Sequence, residues 1–99
     1  MGRGAKGLEV TALPYKATVY INGQVLIPAT LVRRLKLWGA SYAQITLSYK
    51  GKRITINKAK LLRTKHTYSR QFTLPKRVRR ESGIRPGDVL EILDIKAIG

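Results

Sequence analysis

Apolar and polar residues alternate through Thr18-Val-Tyr-Ile-Asn, break at Asn22-Gly23 and resume in Gln24-Val-Leu-Ile27. This predicts two strands joined by a tight turn, since Asn-Gly accepts the positive φ that a hairpin turn requires. Pro28 marks a helix start, because a first-turn N–H has no intrahelical partner to lose, and Leu31, Val32 and Leu35 give the segment to Leu37 an apolar side over about two turns. Ala43 to Tyr49 alternates again around Ile45 and Leu47, Lys50-Gly51 turns the chain, and Lys52 to Ile56 returns as a strand. The result is a ββαββ unit. A second follows: Thr67 to Leu74 supplies its opening strands, Pro75 begins its helix, Gly83 suits the position just past the helix end, Pro86-Gly87 turns, and Asp88 to Ile95 is a strand. Only Lys96 to Gly99 remains for a closing strand. Leu8 to Leu13, ended by Pro14, is a spare strand that can fill that vacancy. The predicted class is mainly β with two short helices.

The two units align without gaps when the chain is slid against itself by 47 residues. Gln24/Gln71, Pro28/Pro75, Arg33/Arg80 and Ile45/Ile92 are identical, while Val25/Phe72, Ile27/Leu74, Leu31/Val78 and Leu37/Ile84 stay apolar. Apolar positions agree better than polar ones, as in a duplicated unit whose copies keep a common core and diverge at the surface. The organisation is a basic tail and accessory strand over 1–15, a first repeat over 16–57, a basic linker over 58–63 and a second repeat over 64–99, integrated in one domain.

Charge changes the picture most. Twenty Lys+Arg face five Asp+Glu in 99 residues, a formal net charge of +15. From Lys50 to Arg80 there are 12 cations and no acid, and four of the five acids lie at or after Glu81. Such a stretch repels itself unless it lies against a polyanion, so nucleic acid is the expected partner. With no Cys and His66 as the single His, disulfide frameworks, zinc sites and Ser–His or Cys–His nucleophile systems are not expected. His66 reads as an ordinary strand residue. Catalysis, metal, cofactor, small-molecule substrate and membrane are therefore outside the expectation. No apolar run reaches bilayer length and Met1 to Gly7 lacks the core of a signal peptide, which points to a cytoplasmic protein. Two Asn, three Gln and one Met make a thermolabile-poor inventory of the kind hyperthermophiles use.

Ser69-Arg-Gln-Phe-Thr-Leu-Pro-Lys-Arg-Val-Arg-Arg-Glu-Ser-Gly-Ile-Arg-Pro-Gly-Asp-Val-Leu-Glu-Ile92 resembles the AbrB/SpoVT family, with its basic turn, Pro-started helix and Gly-Asp-x-Leu-Glu segment. Asn22 to Leu37 resembles the same pattern a second time, although Gly39-Ala-Ser-Tyr stands in place of Pro86-Gly-Asp-Val. The resemblance implies a swapped-hairpin β-barrel that binds DNA, normally made by two chains and here a single-chain pseudodimer of two ββαββ units. Two diverged halves present different side chains and need no symmetric target, so a structured RNA fits better than a palindromic operator. The expectation is a structural rRNA-binding component of an archaeal ribosome or similar ribonucleoprotein, ribosome-associated and in contact with neighbouring ribosomal proteins. The alternative is an AbrB-type DNA-binding regulator or chromatin protein of the nucleoid. An antitoxin-like module is disfavoured, for want of a tail that would wrap a toxin.

The expected phosphate contacts are Arg33 and Arg34 on the first helix, and Lys50, Lys52 and Arg53 around a hairpin tip. Lys58, Lys60, Arg63 and Lys65 continue the stripe, Arg70 sits at the family's turn position, and Lys76, Arg77 and Arg79 flank inward-facing Val78 on the second helix. The resemblance further implies that Arg80 is held by Asp88 or Glu91, whereas Ser41 and Gln44 leave Arg33 free for phosphate. Tyr15, Tyr20, Tyr42, Tyr49 and Tyr68 read mainly as packing residues. Trp38, replacing the turn arginine of the second repeat, is the best candidate for base stacking.

Overall fold

A computed structural model describes residues 12–64 and 68–98 of the chain. Its strands are β1 (Tyr15–Thr18), β2 (Gln24–Ile27), β3 (Tyr42–Tyr49), β4 (Lys52–Lys60), β5 (Leu62–Arg63), β6 (Arg70–Thr73) and β7 (Val89–Ile98), with helices α1 (Ala29–Arg34) and α2 (Lys76–Ser82). The protein is mainly β, in two antiparallel sheets ordered β1-β7-β3-β4 and β2-β6-β5. The sheets are not closed into one barrel.

The duplicated pattern reappears in the placement of elements. Shifting α1 by 47 residues reaches 76–81, all of α2 but its last residue, and shifting β2 and β3 reaches β6 and the start of β7. Both helices follow a proline, Pro28 and Pro75, in extended conformation; α2 is capped by left-handed Gly83 at φ 74°, and the matching position after α1, two residues past its last, is left-handed Lys36 at φ 56°. The chain then turns inward through equivalent bonds, Leu37 N–H to Val32 O at 2.8 Å and Ile84 N–H to Arg79 O at 3.2 Å. These bonds satisfy carbonyls that a helix C-terminus leaves open. Leu37 and Ile84 are thereby delivered to the core, 0% and 4% exposed. Val25 and Phe72, equated by the shift, pair directly with each other across β2 and β6 and are both wholly buried. The core packs around them with Ile27, Leu31, Ile45, Leu47, Leu74 and Ile92.

Several expected boundaries move. The strand expected at 18–22 is Tyr15–Thr18, and it pairs with β7 rather than with β2; the turn at Asn22-Gly23 is closed by Tyr20 N–H to Gln24 O and Gly23 N–H to Tyr20 O, both at 2.8 Å. Val19 N–H is drawn instead to Asp88 O and Gly87 N–H to Val19 O, both at 2.8 Å, which steers the chain from one sheet to the other. Gly23 supplies the positive φ of that turn; Asn22 does not need it. The first helix stops at Arg34, short of Leu37. The segment 58–63 expected as a linker is the end of β4 plus β5, and the opening strands of the second repeat are β5 and β6. β7 runs unbroken to Ile98, so no closing hairpin strand follows it among the described residues. The accessory strand expected at 8–13 lies outside the described residues up to Thr11, and Leu13 packs against the core.

Two bulges explain the irregular alternation. Ala43 faces Ala59 but Ile45 faces Ile56, which places an extra residue in β4; Thr46 faces Asp94 but Leu47 faces Ile92, which does the same in β7. Each bulge shifts the inward face by one residue. Ile56 is therefore followed inward by Ala59, and Ile92 by Ile95.

Candidate nucleic-acid interface

Every lysine and arginine among the described residues is exposed except Arg70, which is buried, and Arg79, which is half-buried. Five of the exposed cations lie on the β3–β4 hairpin. Lys50 and Gly51, at φ 50° and 79°, form its two-residue turn, and the paired positive values match the twist of antiparallel strands. Lys52, Arg53, Lys58 and Lys60 follow along β4, which pairs only with β3 and so forms one edge of its sheet. Nine residues at ~3.3 Å rise span roughly 26 Å, comparable to eight nucleotide steps of ~3.4 Å along one strand of a duplex.

Asp88 stands beside Tyr49 and Lys50 at the hairpin tip, and two further acids stand elsewhere in the sheet. Glu91 and Asp94 lie on β7, opposite Lys16, Ser48 and Thr46, with β3 between them and the β4 edge. Two inter-strand spacings of ~4.8 Å amount to about a Debye length at physiological salt, so these carboxylates neutralise the edge only weakly. Three of the exposed cations lie over aromatic rings. Lys58 Nζ is 4.6 Å from the Tyr42 ring centroid, Lys50 Nζ 5.3 Å from that of Tyr49, and Arg33 Cζ 4.8 Å from that of Tyr68. A cation over a ring keeps its charge and much of its access to an anion.

Asp88 is placed differently from expectation. Its Oδ2 accepts from the Tyr49 hydroxyl at 2.7 Å and from the Arg85 N–H at 2.9 Å. These two bonds, aided by the charges of Lys50 and Arg85 against a desolvation cost, hold its carboxyl below the ordinary value. The same bond, with burial behind it, raises the Tyr49 hydroxyl. Asp88 thus pins the hairpin that carries the cationic edge, and the carboxylate expected to hold Arg80 serves Tyr49 instead. Arg80 is exposed.

Arg33 and Arg34 occupy the last turn of α1 and are exposed, as are Lys76 and Arg77 on α2 and Arg63 on β5. Lys65 and His66 lie outside the described residues. Two candidates are corrected. Arg70 is 4% exposed, and its guanidinium donates to Tyr68 O at 2.7 Å, Ser69 O at 3.0 Å and Trp38 O at 3.2 Å. Its charge is spent on backbone carbonyls and turned away from solvent. Arg79 lies across Gly23: a Cβ built on that glycine would come within 2.9 Å of Arg79 Nη1, and Arg79 Nε is buried. It fills the space that the missing side chain leaves and is half-buried there, unlike its exposed neighbours Lys76, Arg77 and Arg80.

Among the aromatics, Tyr15 and Tyr49 are buried and Tyr42 is half-buried, whereas Tyr20, Tyr68 and Trp38 are exposed. Tyr15 donates to Leu26 O at 2.8 Å, tying β1 of one sheet to β2 of the other, and burial raises its hydroxyl. Trp38, Tyr68 and Arg33 line one cleft of about 450 Å³. Arg70, whose guanidinium bonds the backbone carbonyls of both Trp38 and Tyr68, was the residue whose role sequence reasoning misplaced.

No protein-family model, curated protein or solved structure matches this chain. Among the described residues, no helix is long and apolar enough to cross a membrane.

Proposed function

We propose that this protein is a non-catalytic nucleic-acid-binding protein that contacts phosphates through exposed cations, and that its target is a structured RNA. The observation that carries the reading is the β4 edge: a run of exposed Lys52, Arg53, Lys58 and Lys60 continuing from Lys50, one strand removed from Glu91 and Asp94. A surface of one sign at this density loses self-repulsion and releases counterions when it meets a polyanion.

The paired placement of Val25 and Phe72 and the matched ends of the two helices support a single-chain pseudodimer of two AbrB-like halves. The halves differ where they would meet a target. Arg33, Trp38 and Tyr68 correspond through the 47-residue shift to Arg80, Arg85 and Ile21. Lopsided halves suit an irregular RNA, and the preferred reading is a structural component of a ribonucleoprotein, an archaeal ribosome above all, in the cytoplasm. A second reading, a DNA-binding regulator or chromatin protein, is favoured by the AbrB-like motif itself. Crosslinking the protein to nucleic acid in the cells that make it and sequencing what is attached separates them. Ribosomal RNA at discrete positions supports the first reading; promoter or dispersed genomic DNA supports the second, and recovery of neither overturns both.

A further inference from the structure

The cleft lined by Arg33, Trp38 and Tyr68 has a composition the phosphate contacts do not use. Trp38 is 48% exposed and Tyr68 55%, although rings of this size gain by burial. Both lie next to backbone that is fixed from behind: buried Arg70 donates to Trp38 O at 3.2 Å and to Tyr68 O at 2.7 Å, bridging two segments more than thirty residues apart in the chain. Arg33, 4.8 Å from the Tyr68 centroid, holds that ring and brings a cation to the rim. Two exposed aromatic rings and a guanidinium, with backbones held by a buried arginine, make a preorganised stacking surface rather than a loose apolar patch.

We propose that this cleft receives an unpaired nucleobase, stacked on Trp38 and Tyr68, while Arg33 attends the adjoining phosphate. Rings of this kind and the arginine plane are the groups that stack on splayed-out bases. Arg70 acts as a positioning residue, through the two carbonyls it grips. The inference rests on the nucleic-acid reading and adds to it a site for single-stranded or extruded bases. Positions 47 residues away hold Arg85, Ile21 and Arg80, so only one end of the molecule carries two rings there.

Trp38 is the chain's one tryptophan, so its emission reports on this cleft alone. The full chain is titrated with oligouridine, with oligoadenosine, and with a fully paired RNA duplex of matched charge, and Trp38→Ala, Trp38→Phe and Tyr68→Ala are run in parallel by anisotropy of labelled RNA. The single strands are expected to quench Trp38 and the duplex to bind without quenching. Trp38→Ala and Tyr68→Ala should each weaken single-strand binding by about five- to 150-fold, the range of one lost stacking contact, and leave the duplex unchanged. Trp38→Phe should restore most of the loss, which a merely packing role would not require. Equal behaviour of a matched DNA strand identifies the base as the recognised group; a clear preference for RNA adds its sugar. Binding of all RNAs without quenching, or with variants indifferent, overturns the stacking site and leaves the phosphate reading intact. Failure to bind any of them overturns both.

Discussion

Replacing Arg70 with Ala separates a structural cation from a binding one. Arg70 is 4% exposed and donates to three carbonyls on two segments. Removing it leaves two part-buried carbonyls and one buried carbonyl without their charged donor. A hydrogen bond to a charged group contributes about 1.5–3 kcal/mol, and bonds sharing one guanidinium do not add fully, so a loss of about 3 kcal/mol is expected. For a chain of this length, where 1 kcal/mol moves the midpoint by about 4–8 °C, Tm should fall by roughly 12–24 °C. Arg70→Lys should recover little, because an ammonium cannot present the fork that reaches carbonyls on both segments. Thermal unfolding by circular dichroism gives the first number. RNA titrations over a series of salt concentrations, below both midpoints, give the second: the slope of log K against log salt should be unchanged, since Arg70 releases no counterion. An unchanged Tm together with a slope flatter by nearly one would show Arg70 reaching a phosphate, and the assignment of its charge to the interior would be wrong.

The remaining predictions concern the helix ends, the sheet junction and acid. Lys36→Gly should raise stability by about 1 kcal/mol and Gly83→Ala lower it by a similar amount, because both positions are left-handed and only glycine adopts that conformation without cost; urea unfolding checks both. Tyr15→Phe should cost about 1 kcal/mol by leaving Leu26 O without its donor, read in the same assay. Asp88 has a folded-state pKa below its ordinary 3.8, so its contribution is present above that value and lost as pH falls through the folded value. Asp88→Asn should therefore be less stable than wild type at neutral pH, with the gap closing as pH falls below the ordinary carboxylate value and through the lowered folded one, as measured by unfolding midpoints across a pH series.

Local signals carried both proline-started helices, the left-handed Gly83 and the Lys50-Gly51 turn, because each depends on residues adjacent in the chain. Partners were less legible. Thr18 continues an alternating run toward the Asn22-Gly23 turn, yet the strand belongs with β7, more than seventy residues on, and that pairing leaves no local mark. The bulge opposite Gln44 broke the alternation of β4 after Ile56 and made its last residues resemble a linker. Arg70 and Arg79 were indistinguishable from their neighbours in a run of cations: burial of one depends on the carbonyl of Trp38, and of the other on the bare Cα of Gly23. The edge cations needed no such information, since β4 pairs only with β3 and Lys52, Arg53, Lys58 and Lys60 are all exposed.

The most direct test of the cationic edge is the salt dependence of RNA binding by the wild-type chain and by the quadruple variant Lys52→Gln, Arg53→Gln, Lys58→Gln, Lys60→Gln. With roughly 6 to 10 phosphates contacted, the wild-type slope of log K against log salt should lie at about −5 to −9, and the variant should be flatter by about 3, at 0.7–0.9 for each lost contact. A wild-type slope near zero, or a variant slope equal to that of the wild type, would contradict the account.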